Sequence, residues 1–228
     1  MYGGPMVGSV TTVAILAGGA SRRMGEDKAL LRLSPGSPAL LQKAVATALR
    51  ISSDVFVVSP VDRDYQRFGA RIVADLFPGE GPLGGIITAL EAARSDHVLI
   101  LSCDHPFLSA PLLRWMSELP SHQLVLPEIR QDERALMFPI HARYRGDALP
   151  ILLEGFSAAE RRLKVAIQEL ETLRVGERDL RRFDPGLRSL INLNTAEEAR
   201  RASEIIDDRP EFRHGSRQRS GGDDILNR

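Results

Sequence analysis

An apolar run, Val13-Ala14-Ile15-Leu16, passes without interruption into Ala17-Gly18-Gly19-Ala20-Ser21-Arg22-Arg23-Met24-Gly25-Glu26-Asp27-Lys28. The apolar residues have the composition and length of a buried strand entering a turn. The glycines that follow leave backbone N–H groups bare. Gly18, Gly19 and Gly25 allow close backbone approach, and Arg22, Arg23 and Lys28 bring positive charge, so the loop is suited to wrapping a polyphosphate. It is not a Walker A loop, because Gly25 is followed by Glu26-Asp27-Lys28 rather than Lys-Ser/Thr, and it is not G-x-G-x-x-G. A plain glycine turn with solvated charges would not need the strand before it and the lysine after it.

A strand delivering such a loop constrains the rest of the chain, which alternates strand-like with helical runs. Strands are expected at Val10–Leu16, Asp54–Ser59, Arg71–Ala74, His97–Ser102, Gln123–Pro127, Ala135–Ile140, Thr172–Val175 and Ser189–Leu193. Helical periodicity covers Ala39–Arg50, Pro82–Arg94, Pro111–Leu119, Arg143–Leu153, Ala158–Leu170 and Ala196–Ile206. Thr195 ahead of Ala196-Glu197-Glu198 has the look of an N-cap with an acidic first turn. The expected fold is α/β: three layers, an open and mostly parallel twisted sheet with helices on both faces. The 228 residues suffice for one domain, placed at 9–207, with loose ends at 1–8 and 208–228.

Thirty basic residues balance thirty acidic ones, so no global field recruits nucleic acid or an anionic membrane, and any anion must be bound locally. Apolar runs fall far short of a membrane span, and no signal-peptide pattern precedes the first strand. The single cysteine, Cys103, excludes an intramolecular disulfide and fits a reducing cytoplasm. It reads as a small buried residue at a strand end rather than a nucleophile, since His105 is the only base near it in sequence.

Open α/β sheets bind ligands outside the carboxyl ends of their strands. Leu16-Ala17-Gly18 follows the first expected strand, Ser59 ends the second, Asp75 follows the third and Asp104 the fourth, so four segments converge on one crevice. His97 to Leu101 would bury on both faces and deliver the Asp104 carboxylate to the rim, where Mg²⁺ could take it with waters and phosphate oxygens. Asp75 offers a carboxylate able to accept N1–H and N2–H of guanine or to make a second metal contact, or it is a loop aspartate without a ligand. Gly81-Pro82-Leu83-Gly84-Gly85 opens a helix either beside a ligand or packed tightly on the sheet. Asn192 and Asn194 share a face by period-two spacing. Arg161 and Arg162 could meet a phosphate or simply line a solvated helix face.

Four segments carry a family resemblance: Leu16 to Lys28, Gly81 to Gly85, Ser102-Cys103-Asp104-His105-Pro106-Phe107, and Leu190-Ile191-Asn192-Leu193-Asn194-Thr195-Ala196-Glu197-Glu198. Together they resemble the molybdenum cofactor guanylyltransferases, within the sugar-nucleotide-like nucleotidyltransferases, over about residues 10 to 205. The resemblance implies a Rossmann-like nucleotidyltransferase fold and transfer of GMP from GTP to the terminal phosphate of molybdopterin or molybdenum cofactor, with pyrophosphate released and Mg²⁺ as cofactor. It implies nucleotide contacts from Leu16, Ala17, Gly18, Gly19, Lys28, Ser59, Asp75 and Asp104, with Lys28, Arg22 and Asp104 catalytic and Asp104 on the metal. Asn192 and Asn194 fall to the acceptor, and cofactor-handling proteins are implied partners. Two departures stand out: Ser59-Pro60 where the family has an Asn, and Ala196 in place of a Pro. Cytidylyl relatives usually carry Ala-Ala-Gly and Asp-Gln-Pro where this chain has Ala17-Gly18-Gly19 and Asp104-His105-Pro106, which favours GTP over CTP. Another phosphate acceptor, or an accessory nucleotide-binding protein without catalysis, are the remaining alternatives.

Overall fold

The computed structural model describes residues 11–18, 27–61 and 63–207. Its strands are β1 (Thr11–Leu16), β2 (Val55–Ser59), β3 (Arg71–Ala74), β4 (His97–Ser102), β5 (Leu124–Gln131), β6 (Arg134–Met137), β7 (Ala142–Arg145) and β8 (Thr172–Gly176). Its α-helices are α1 (Leu40–Ala48), α2 (Pro82–Ala92), α3 (Ala110–Ser117), α4 (Leu149–Ser157), α5 (Leu163–Ala166), α6 (Glu177–Leu180) and α7 (Ala196–Asp207). The strands form one sheet in the order β3-β2-β1-β4-β7-β5-β6, with β8 also on β5. Four of the seven pairings are parallel: β1 with β2 and β4, β2 with β3, and β5 with β8.

Helices cover both faces, because alternate residues of the central strands point opposite ways. Val13, Ile15, Val57, Leu99 and Leu101 meet Leu41, Ala44 and Val45 of α1 and Leu113 of α3. Ala14, Phe56, Val58, Val98 and Ile100 meet Leu83, Ile86 and Ile87 of α2 and Leu152 of α4. These side chains are almost wholly buried, each contributing about 1.5–3 kcal/mol of hydrophobic stabilisation. Gly84 and Gly85 of α2 serve this packing: a Cβ on Gly84 would stand 2.8 Å from the Phe77 Cβ, and one on Gly85 would sit 3.4 Å from Leu16.

The expected helix over Arg143–Leu153 is corrected at its start. Ala142–Arg145 is instead strand β7, antiparallel to both β4 and β5. The buried Arg143 explains it: its guanidinium donates to the carbonyls of Ser117 (3.1 Å), Leu119 (2.7 Å) and Pro120 (2.6 Å), closing the carboxyl end of α3. Glu128 pairs with both Met137 and Gly176, and Leu124 with both Tyr144 and Thr172, so β6 and β7 lie on the same side of β5. Their registers on β5 differ by three residues, taken up between Phe138 and His141. Pro139, which cannot donate to a ladder, lies in that excursion.

Two other expectations change. Ser189–Leu193 is no strand: Arg188–Leu190 is a 3₁₀ turn, entered through Leu187 at φ 49° and held by the Asp184 carboxylate, which accepts from Ser189 N and Oγ. Residues 158–170 hold only α5 and a 3₁₀ turn, because Ala159 at φ 68° ends α4 and breaks the helical run.

Candidate active site

Three expected elements meet at the carboxyl rim of β1 and β4. Asp104 follows β4 directly, and its backbone carbonyl accepts from Leu193 N at 3.0 Å. Leu193 is fully buried against Leu33, Leu40 and Ala202, which seats the C-terminal segment on α1 and α7. Lys28 then donates from Nζ to Leu193 O at 2.7 Å and lies 3.4 Å from Asn194 Oδ1. The ammonium of the glycine-loop lysine, the rim aspartate and the Asn192–Asn194 segment are thus joined by hydrogen bonds. Asn192 and Asn194 are exposed on either side of buried Leu193, but Ile191 and Thr195 are exposed too, so the expected period-two alternation does not extend beyond Leu193 and no ladder supports it.

Local chemistry fixes each of these pieces. Asp27 caps the turn carrying Lys28 by accepting from Ala29 N through Oδ1, while its Oδ2 takes the Tyr65 hydroxyl at 2.6 Å and the Arg63 guanidinium at 2.9 Å. Burial, reinforced by that carboxylate, pushes the Tyr65 hydroxyl pKa far up, so it stays a donor. On the other side, α7 begins with a reciprocal capping box: Glu198 N donates to Thr195 Oγ1, and the Glu198 carboxylate accepts from Asn194 N and Thr195 N. The Asn194 bond, with the other contacts, holds the Glu198 carboxyl below the usual range. Neither Lys28 nor Asn194 therefore rests on a loose loop.

Asp75 lies one strand away from this cluster, half-buried after β3. Its Oδ1 accepts from Phe77 N at 3.0 Å and lies 3.2 Å from Thr88 Oγ1. Its Oδ2 faces Gly18, 3.5 Å from where a Cβ on that glycine would be. Leu16, Ala17 and Gly18 lead to the same edge, with Ala17 N bonded to Val58 O. Ser59 is fully buried, and its hydroxyl donates to Pro60 O rather than into the crevice; its carbonyl receives Asp75 N–H. Gly19, Arg22, Arg23 and Gly25 lie outside the described residues.

Arg161 and Arg162 are not presented to the cluster. Arg161 donates to Glu80 at 2.6 Å and stacks 3.7 Å above the Phe156 ring, and Arg162 pairs with Glu160 at 2.7 Å. Burial pushes the Cys103 thiol pKa far up, with the charges of Asp104 and Asp27 adding to it, so no thiolate is available. His105 and His141 are buried edge to face at 5.5 Å, and burial lowers both pKa values, so the pair is neutral. His141 sits in the Phe138–His141 excursion, a contact that sequence spacing did not signal.

Among the described residues no three His, Cys, Asp or Glu side chains gather around a common metal position. Mg²⁺ takes one or two carboxylates and fills its octahedron with waters and substrate phosphates. Asp104, half-buried at the rim with no side-chain hydrogen bond among the described residues, has the hard oxygen donors required.

The chain is similar to known proteins in sequence and fold. The MobA-like NTP transferase domain matches residues 13–184. A Chloroflexus aggregans protein named "Probable molybdenum cofactor guanylyltransferase" is 38% identical over 185 residues, 81% of this chain and 89% of its own. The "Molybdenum cofactor guanylyltransferase" of Syntrophotalea carbinolica is 31% identical over 187 residues, 82% of this chain and 88% of its own. The crystal structure of molybdopterin-guanine dinucleotide biosynthesis protein A from Archaeoglobus fulgidus superposes with a TM-score of 0.72 at 25% identity, covering 86% of this chain and 98% of that one. The chain belongs to the MobA-like NTP transferases, a family of nucleotidyltransferase enzymes, and within it to the molybdenum cofactor guanylyltransferases.

Proposed function

We propose that the protein transfers GMP from GTP to the terminal phosphate of molybdopterin or its molybdenum-loaded form, releasing pyrophosphate. The observation that carries this reading is the link from Lys28 through Leu193 to Asp104, which sets a cation, a carboxylate and two exposed amides around one rim. The acceptor phosphate is already an anion at neutral pH, so no strong general base is needed. The protein's task is to align two like-charged groups and to offset the charge that grows between them. Lys28 keeps one of its three N–H donors beyond the two directed at Leu193 and Asn194, and that donor faces the phosphates. Backbone N–H groups at Gly18 and Gly19 contact phosphate oxygens. Asp75 accepts the N1–H and N2–H edge of guanine, and Asn192 and Asn194 meet the amide-like edge of the pterin. Mg²⁺ held by Asp104 would neutralise charge on the phosphate oxygens as the leaving group departs.

No helix among the described residues is long and apolar enough to cross a membrane, which is compatible with work in the cytoplasm alongside cofactor-handling proteins. The test is pyrophosphate release by the purified protein with Mg²⁺ and molybdopterin, comparing GTP, CTP, ATP and UTP. Release with GTP alone is expected. Release with CTP would move the protein to a cytidylyl role, and no release with any nucleotide would favour another acceptor or a non-catalytic accessory role.

A further inference from the structure

The carboxylate after β3 is held by a residue that no motif in the sequence marks. Thr88 sits on α2, wholly buried, with its hydroxyl at the meeting point of three groups. Oγ1 accepts from Leu76 N at 3.1 Å and lies 3.2 Å from Asp75 Oδ1 and 3.0 Å from Gly84 O. A hydroxyl has one proton, so the last two oxygens share it. Gly84 O is the carbonyl one helical turn back, the usual partner of a mid-helix threonine. Leu76 and Asp75 lie on a different element, the turn leaving β3.

Three features make this contact more than helix packing. Asp75 Oδ1 is fully engaged by Phe77 N and Thr88, whereas Oδ2 has no hydrogen bond among the described residues and faces Gly18. The Thr88 hydroxyl is the side-chain donor directed at Asp75 among the described residues, and with Phe77 N–H it holds Oδ1 inward so that Oδ2 turns outward. Gly84, whose Cβ would collide with Phe77, lets α2 approach closely enough for the Thr88 hydroxyl to reach across. Ser59, expected among the nucleotide contacts, is turned into the protein, whereas Asp75 keeps an oxygen facing Gly18.

We infer that Thr88 is the positioning residue for base selection: it fixes the Asp75 carboxylate so that Oδ2 and the face above Gly18 read the purine edge carrying N–H donors. The inference rests on the guanylyl reading of the site. Without the Thr88 hydroxyl, Asp75 Oδ1 keeps only the Phe77 N–H and Leu76 N loses its acceptor, so the turn and the carboxylate loosen together.

The test is nucleotide binding with Mg²⁺ and no acceptor, by competition of GTP, ITP and ATP against a fluorescent GTP analogue. The proteins are wild type, Thr88→Val, Thr88→Ala, Thr88→Ser and Asp75→Ala. ITP lacks the N2 amine, and ATP lacks both donors while keeping the triphosphate. Thr88→Val should weaken GTP by about tenfold, ITP less, and ATP not at all, with Thr88→Ser restoring the wild-type order. Thr88→Ala should give the same pattern if the valine variant melts early. Equal weakening of all three nucleotides, or unchanged GTP binding, would overturn the inference, because a purely structural threonine acts on the whole site or on none of it. Wild-type protein that binds GTP and ATP alike would remove the guanylyl reading itself. Loss of GTP preference in Asp75→Ala without loss in Thr88→Val would remove only the role of Thr88.

Discussion

At the scale of single residues, the site separates side chains that act on ligand from those that hold others in place. Asp104 carries the metal proposal, and its side chain bonds to nothing else described, so Asp104→Ala should lower turnover by about 10²–10³-fold while leaving the melting temperature within about 2 °C of wild type. Pyrophosphate release and differential scanning fluorimetry on the same preparation check both parts. Cys103 should be dispensable: Cys103→Ala is expected to keep near-normal turnover, and native protein should resist iodoacetamide at pH 8, since burial keeps the thiol protonated. Much of this level was legible in the sequence. Asp75 and Asp104 each follow an apolar run, Lys28 closes the charged glycine run after β1, and Asn192 and Asn194 flank the buried Leu193. Thr88 and His141 were not singled out, because their importance lies in contacts across elements, and spacing along the chain does not encode those.

At the scale of elements, buried polar groups decide where pattern reading succeeds. β3 and β4 fall at the residues expected, since their apolar runs are bounded by polar turns. β7 was hidden by Arg143 and Arg145, which read as solvent-facing polar positions on a helix. Gly146 and Pro150 were the available signals against that helix, because each interrupts a helical interior, proline by about 3 kcal/mol. Arg143 is held by the carbonyls that end α3, whose dipoles offset part of its charge, and burial still lowers its pKa to about 10. Arg143→Met should therefore destabilise the fold by about 2–4 kcal/mol by leaving those carbonyls without donors; urea unfolding would read it. The start of α7 offers a milder case. Thr195→Ala should cost about 1 kcal/mol. Glu198, with its carboxyl pKa lowered, contributes stability at neutral pH that is lost as pH falls below its ordinary range.

Over the whole molecule, the sheet joins a parallel run, β3-β2-β1-β4, to a mixed part in which β7 and β6 are antiparallel to β5 and β8 is parallel to it. β5 and β6 run past the end of β7, because the three-residue offset at Phe138–His141 lets the returning strand pair twice with β5. Buried histidines at that offset give the fold a pH dependence. His141 is wholly buried with its pKa well below the ordinary value, so the unfolded chain takes up a proton first as pH falls below about 6.5. Stability from this group is complete above that pH and declines below it, by up to about 1.4 kcal/mol per pH unit for each such histidine. Urea midpoints measured from pH 5 to 8 should show the decline, and His141→Phe should flatten it.

The bond between Lys28 and Leu193 spans 165 residues of chain. On the ribosome, at roughly 5–20 residues per second, the glycine loop emerges many seconds before the partner that anchors its lysine. Nascent and prematurely terminated chains therefore complete most of the sheet while their lysine has nothing to hold it. The bond that anchors Lys28 forms only once Leu193 has been made, so prematurely terminated chains lack it however complete their sheet.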